Sequence, residues 1–251
     1  EVGQKPEKLG DDIDEYLEFL IENKCDQIGI SSGFPRFDSV VGGGLRRKCV
    51  DLVSARPGVG KSVFADNVAL YNARKGIPVL MLDTEMSKED HLNRILSNMS
   101  GVPIEEVSTG RFADDDEKLI KVRNAMEEIR EIPYTYISVA GAPFETILNS
   151  IKRWIMQEVG QDEYGRTNDC LVVYDYLKLM SSSSINNNMQ EYQALGFQIT
   201  NLHNLAVKLD FPCLSFVQLN RDGITKESTD AVSGSDRLIW LCTSFSIFKL
   251  K

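Results

Sequence analysis

Residues 50–62 constrain this chain more tightly than any other stretch. Val50, Leu52 and Val53 form an apolar run suited to a buried strand. The run breaks into Ala55-Arg56-Pro57-Gly58-Val59-Gly60, and Lys61-Ser62 then open a helical pattern carried by Val63, Phe64, Ala65, Val68 and Ala69. A strand, a glycine-containing loop and a helix in that order make a phosphate cradle. The glycines let backbone N–H groups converge on an anion, at the positive end of the following helix. In that reading Lys61 reaches the β- and γ-phosphates and the Ser62 hydroxyl ligates Mg²⁺. The strict pattern has glycine where this chain has Ala55, so a bare pattern search passes over it.

The rest of the chain supplies the frame such a loop needs. Val79-Leu80-Met81-Leu82, residues 134–139, Leu171-Val172-Val173-Tyr174 and residues 213–217 read as strands, and residues 238–248 end in a strand-like alternation. Between them lie helical patterns: one begun by Ser87 with Asp90 as a capping box, one by the acidic run 114–117, one from Pro143 to about Glu158, and a long one through Leu195, Ile199, Leu202 and Ala206. Gly76 is placed to end the helix after the phosphate loop, and residues 101–113 read as irregular. The run 114–117 is expected to be a solvated helix start rather than a metal site, because acids there oppose the helix dipole. Alternating strands and helices predict an α/β domain with a mainly parallel sheet, helices on both faces and functional groups at the carboxyl ends of the strands. Before this domain, Asp11-Asp12 precede an amphipathic helix to about residue 24 with Ile13, Tyr16, Leu17, Leu20 and Ile21 on one face. It packs on its own domain or on a neighbouring subunit.

With 251 residues there is enough chain for a sizeable core. No apolar run is long enough to span a membrane, so no membrane partner is expected. The five cysteines have no paired spacing and read as reduced core residues of an intracellular protein. A net charge of −9 argues against broad electrostatic binding of DNA, while leaving room for a narrow channel lined by a few cations and backbone amides. Glu1 at the start and a strand-like end at Lys251 point to a piece of a longer protein.

Four groups then fall at strand ends beside the loop. Asp175 closes the Leu171–Tyr174 run and is placed to orient Mg²⁺ through a water. Glu85 follows the second strand and is placed to polarise an attacking water, with Asp83 its local competitor. Gln218 follows the fifth strand, and its amide can donate to a phosphate oxygen and accept from a water. His91 and His203 complete no ligand set and are expected to be structural or exposed.

Several of these motifs together resemble the DnaB-type replicative helicases, members of the RecA-like hexameric motors. The likeness rests on Gly33-Phe34 with Asp38, Gly43-Gly44-Leu45, the loop Ala55 to Ser62, Glu85-Met86-Ser87, Asp175-Tyr176-Leu177 with Leu179-Met180, and Gln218-Leu219-Asn220-Arg221. Alanine at the first loop position is usual in that family. The resemblance implies a RecA-like phosphate-loop domain over residues 31–251, preceded by a linker over 1–30. It implies hydrolysis of ATP or another nucleoside triphosphate with Mg²⁺, coupled to movement along single-stranded DNA during replication. It further implies a homo-hexamer held by helix 11–24, with primase and a helicase loader as partners, in the cytoplasm of a bacterium or of a phage's host. Two loops, about 181–190 and 222–236, would line the central channel. The amides of Ser233-Gly234-Ser235, with Lys226, would hold DNA phosphates. The family's arginine finger lies on or after the last strands, where this chain has Lys249 and Lys251. The rival readings are a RecA-like recombinase that coats DNA as a filament and a scaffold or loader that uses ATP as an assembly signal.

Overall fold

The computed structural model describes residues 8–22, 24–25, 27–163, 166–177, 191–218 and 242–249, with only the backbone of 191–193 and 218. Six strands form one sheet: β1 (Val50–Ala55), β2 (Val79–Asp83), β3 (Tyr134–Ser138), β4 (Leu171–Asp175), β5 (Cys213–Gln218) and β6 (Ser244–Phe248). Their order is β3-β2-β4-β5-β1-β6 and every pairing is parallel. The apolar runs of β1, β2 and β4 are buried from end to end, while the edge strands β3 and β6 are half-buried. A parallel sheet covered on both faces requires that difference, because only its interior strands lose water on both sides.

Period-two alternation sends the strand side chains into two cores. Val53, Met81, Val173 and Phe216 meet Phe64, Ala65, Val68 and Ala69 of α3 (Lys61–Arg74) on one face. Leu52, Leu82, Val172 and Cys213 meet α7 (Phe144–Trp154) and α8 (Glu191–Leu209) on the other. The small side chains at 65, 69 and 73 are spaced four apart, so α3 presents a narrow ridge that lies close on the sheet. A left-handed Gly76 (φ 79°) follows its last turn. The expected helix to about Glu158 is α only as far as Trp154 and continues as a π-type turn over Ile155–Val159.

Between β2 and β3 the chain makes a helical excursion. The Ser87 hydroxyl accepts from the Asp90 amide at the start of α4 (Lys88–Ser100), and the Asp115 carboxylate accepts from the amides of Glu117 and Lys118 at the start of α6 (Asp116–Glu131). The acidic run therefore caps a helix. The irregular stretch expected over 101–113 is instead α5 (Ile104–Thr109) followed by a 3-10 turn over Arg111–Asp114. Val107 enters a small separate core with Leu96, Val102 and Val122, and tertiary packing overrides the weak local signal there. The approach to β1 also holds a short helix, α2 (Pro35–Val40), where a loop is expected.

The amphipathic α1 (Ile13–Glu22) has no buried residue; Ile13, Tyr16 and Ile21 are each at least 60% exposed. Packing on its own domain, one of the two expectations for this helix, is not what the structure has. No disulfide joins the five cysteines, but only Cys170 and Cys213 are buried; Cys49 and Cys242 are intermediate and Cys25 is exposed, which corrects their reading as core residues. No described helix is long and apolar enough to cross a membrane.

Candidate nucleotide site

The loop between β1 and α3 lies at the carboxyl rim of the sheet. Gly58 (φ 79°) and Gly60 (φ 102°) adopt left-handed conformations that a side chain resists, and a Cβ on either would meet nothing within 4 Å. Backbone geometry rather than crowding demands glycine here, and the space above the loop is open. A cleft of about 500 Å³ occupies it, lined by the loop, Lys61, Ser62, Glu85, Arg94 and Tyr176.

Asp175, at the end of β4, is 4% exposed. Its carboxylate accepts from the Ser62 hydroxyl, and Lys61 attracts it. Burial nevertheless outweighs both and raises its pKa, because a desolvated carboxylate favours the neutral form. Its Oδ1 has no hydrogen-bond partner. The pKa of Lys61 is lowered by burial, which exceeds the opposing attraction of Asp175 and Glu85. The Lys61 Nζ stands 4.2 Å from the centre of the Tyr176 ring.

Glu85 reaches the cleft on a turn held from several sides. Asp83, the last residue of β2, accepts from the amides of Glu85 (2.7 Å) and Met86 (2.8 Å). From β3, the Tyr136 hydroxyl (2.9 Å) and the Ser138 hydroxyl (3.0 Å) donate to the Met86 carbonyl. The Thr84 amide donates to the Asp175 carbonyl at 2.9 Å and joins this turn to the end of β4. Asp83 is 1% exposed and faces its own turn rather than the cleft.

Behind the turn lies a buried polar cluster. His91 of α4 stacks on Tyr136 (4.3 Å between ring centres), and its Nε2 is 3.0 Å from the Tyr134 hydroxyl. Its Nδ1 is 3.7 Å from Asp66 of α3. Burial lowers the His91 pKa to about 4 and raises that of Asp66 to about 7, so this contact is not an ion pair at neutral pH. His91 is thus a buried structural residue, and His203 is partly exposed on α8.

Pro57, Gly58, Gly60, Lys61, Ser62 and Glu85 thus line one cleft, and Asp175 is buried next to it against the Ser62 hydroxyl. Gln218 ends β5 with its Cα in register with that of Ala55; its side chain lies outside the described residues. Lys226, Ser233, Gly234 and Ser235, and both expected channel loops, also lie outside them, as does Lys251. Sequence reasoning missed Arg94 and Tyr176 as lining residues. Tyr176 adjoins a site acid in the sequence and could have been suspected, whereas Arg94 lies well inside α4 and leaves no local sign.

Could the site hold a divalent cation? Asp175 Oδ1 is a buried oxygen without a partner, next to a hydroxyl, and both are hard donors of the kind Mg²⁺ prefers. Among the described residues no group of three or more His, Cys, Asp or Glu could hold a metal. A two-donor site suits Mg²⁺ shared with phosphate oxygens and water rather than a metal caged by protein alone.

A parallel sheet in this order, with a glycine loop after β1 and acids at the adjacent ends of β2 and β4, defines a RecA-like ATPase domain. Within that class the model of the DnaB-like helicase C terminal domain matches residues 29–233, and the chain belongs to that family. It is 28% identical over 219 residues to a probable replicative DNA helicase of Trieres chinensis, covering 84% of this chain and 45% of that protein. It is 31% identical over 195 residues to the replicative DNA helicase DnaB of Pasteurella multocida (strain Pm70), covering 77% of this chain and 39% of that one. The chain therefore spans less than half the length of these relatives. Its fold matches that of a DnaB-like replicative helicase, solved in a study of its interactions with primase, with a TM-score of 0.78 at 19% identity, over 96% of this chain and 56% of that one.

Proposed function

We propose that the cleft binds a nucleoside triphosphate and hydrolyses it to drive a replicative helicase along single-stranded DNA. The observation that carries this reading is the meeting of Lys61 and Ser62 with Glu85 and Asp175, from separate parts of the sequence, around one open space. Backbone amides of the loop and the Lys61 ammonium hold the phosphates, and Ser62 and Asp175 hold Mg²⁺. The ion, when bound, neutralises charge developing on the phosphoryl oxygens. Glu85, fixed by the turn that Asp83 and Tyr136 hold, orients a water and accepts its proton. Gln218, ending the strand beside the loop, senses the terminal phosphate and passes its presence to the segment that follows.

The apolar face of α1 supports assembly of several copies, since no residue of that helix is buried. We place α1 on the neighbouring subunit of a six-membered ring, with DNA in the central channel against the segments around Lys226 and Ser233-Gly234-Ser235. Primase and a loader are the partners this role calls for. The test combines Mg²⁺-dependent ATP hydrolysis, with and without single-stranded DNA, and mass measurement with a nucleotide analogue. A six-subunit species with DNA-stimulated turnover is expected, and Glu85→Ala should retain nucleotide binding while losing turnover. An open-ended filament would instead support a recombinase, and full function in Glu85→Ala would support a scaffold.

A further inference from the structure

Tyr176 touches both working side chains of the cleft with different parts of itself. Its ring face lies under the Lys61 ammonium, 4.2 Å from Nζ to the ring centre. Its phenol is hydrogen-bonded to the Glu85 carboxylate. Its backbone is set by the junction of β2 and β4, where the Tyr176 amide donates to the Thr84 hydroxyl (3.4 Å) and the Thr84 amide donates to the Asp175 carbonyl (2.9 Å). The residue is therefore tied to both strand ends that carry the site's acids.

Lys61 and Glu85 attract each other across this cleft. Left to themselves, a half-buried ammonium and a nearby carboxylate close into a direct ion pair. Such a pair would put the lysine where it cannot meet an arriving phosphate and would engage the carboxylate needed to orient a water. Tyr176 offers each a separate neighbour. The ring gives the ammonium a contact much weaker than an ammonium–phosphate pair, so an arriving phosphate displaces it readily. The phenol gives the carboxylate a donor that stays in place after the lysine has moved. A phenol keeps its proton at neutral pH, so the hydroxyl is the donor in its hydrogen bond with the Glu85 carboxylate.

We propose that Tyr176 is a positioning residue that keeps Lys61 and Glu85 apart before nucleotide binds, yielding the lysine to the phosphate and holding the glutamate for the water. The proposal rests on the nucleotide reading above and assigns a role to a residue that neither the phosphate loop nor the strand-end acids account for.

Two variants separate the functions of ring and hydroxyl. Tyr176→Phe keeps the ring under Lys61 and removes the donor to Glu85. Tyr176→Leu removes both. With the whole chain, a fluorescent ATP analogue and Mg²⁺, Tyr176→Phe is expected to bind within about twofold of the parent. Its kcat for ATP should fall about tenfold, a part of the roughly 10²–10⁴-fold that a general base contributes, because Glu85 stays in place but is less well held. Tyr176→Leu is expected to weaken nucleotide binding several-fold, and adding Glu85→Gln should return that affinity to the value of Glu85→Gln alone. A merely structural tyrosine would not produce this rescue. Unchanged kcat in Tyr176→Phe, or no rescue of Tyr176→Leu by Glu85→Gln, overturns the proposal while leaving the nucleotide site standing. Absence of Lys61-dependent nucleotide binding in the parent overturns the nucleotide reading and this proposal with it.

Discussion

The ends of β2 and β4 invite direct comparison. Asp83 and Asp175 are register partners on adjacent strands; both are nearly buried, both have pKa values raised chiefly by burial, and both keep one oxygen without a hydrogen-bond partner. Their engaged sides differ. The chain after β2 turns back over its own end, so the amides of Glu85 and Met86 point at Asp83 and consume one of its oxygens. The chain after β4 leads away, with the Leu177 amide donating to the Phe216 carbonyl, and Asp175 is left facing the first turn of α3 and the Ser62 hydroxyl. Two identical residues thus become a turn clamp and a candidate metal ligand. What distinguishes them is whether the next backbone N–H groups fold over the carboxylate.

The comparison can be broken by exchanging charge for neutrality at each end. Asp175→Asn should lower Mg²⁺-dependent ATP turnover by on the order of 10³-fold, the scale of a metal's several kcal/mol of charge stabilisation, with little loss of thermal stability. An equal loss in both measures would make Asp175 a structural acid like its neighbour.

Asp66 sharpens the contrast, because it sits on α3 and feels both acids. Its pKa rises from 3.8 to about 7 on folding. A raised folded value means that the unfolded chain releases this proton first, so its contribution to stability is complete below about pH 4 and is lost as pH rises through about 7. Asp66→Asn should therefore be more stable than the parent by about 4 kcal/mol at pH 8, at about 1.4 kcal/mol per pKa unit, and nearly equal to it near pH 3.5. Urea unfolding at the two pH values measures this difference.

Asp83→Ala leaves the Glu85 and Met86 amides without their acceptor and should cost about 1–3 kcal/mol of stability. Turnover should fall with it, by about tenfold if the turn loses only part of its definition. The smallest effect is expected for Tyr136→Phe, which removes a donor to the Met86 carbonyl while Ser138 keeps another. About 0.5–1.5 kcal/mol in stability is expected, with nucleotide affinity unchanged.

Much of this arrangement was legible along the chain. Ser87 and Asp115 cap helices where side-chain chemistry says they should, and Gly76 follows α3 in the left-handed conformation expected of a helix end. Capping and turn formation involve neighbours within a few residues, so local sequence carries them. Misreadings fell where the decisive partner was distant. Residues 104–109 are helical because Val107 finds a core shared with α4 and α6. The stripe on α1 was plain, yet a stripe states only that a face has to be covered, not by what. His91 could be read as structural, but its place between Asp66 and the tyrosines of β3 could not.

By itself the sequence determined the succession of strands and helices, the phosphate loop and the candidate acids, because period, capping and glycine placement are short-range physics. Only the tertiary structure decided which acid clamps a turn and which faces the loop, and that Tyr176 stands between Lys61 and Glu85. Those outcomes depend on strand order, which sets Asp175 toward α3 and joins the ends of β2 and β4. Such proximity arises between residues roughly ninety positions apart and leaves no trace in either one's neighbours.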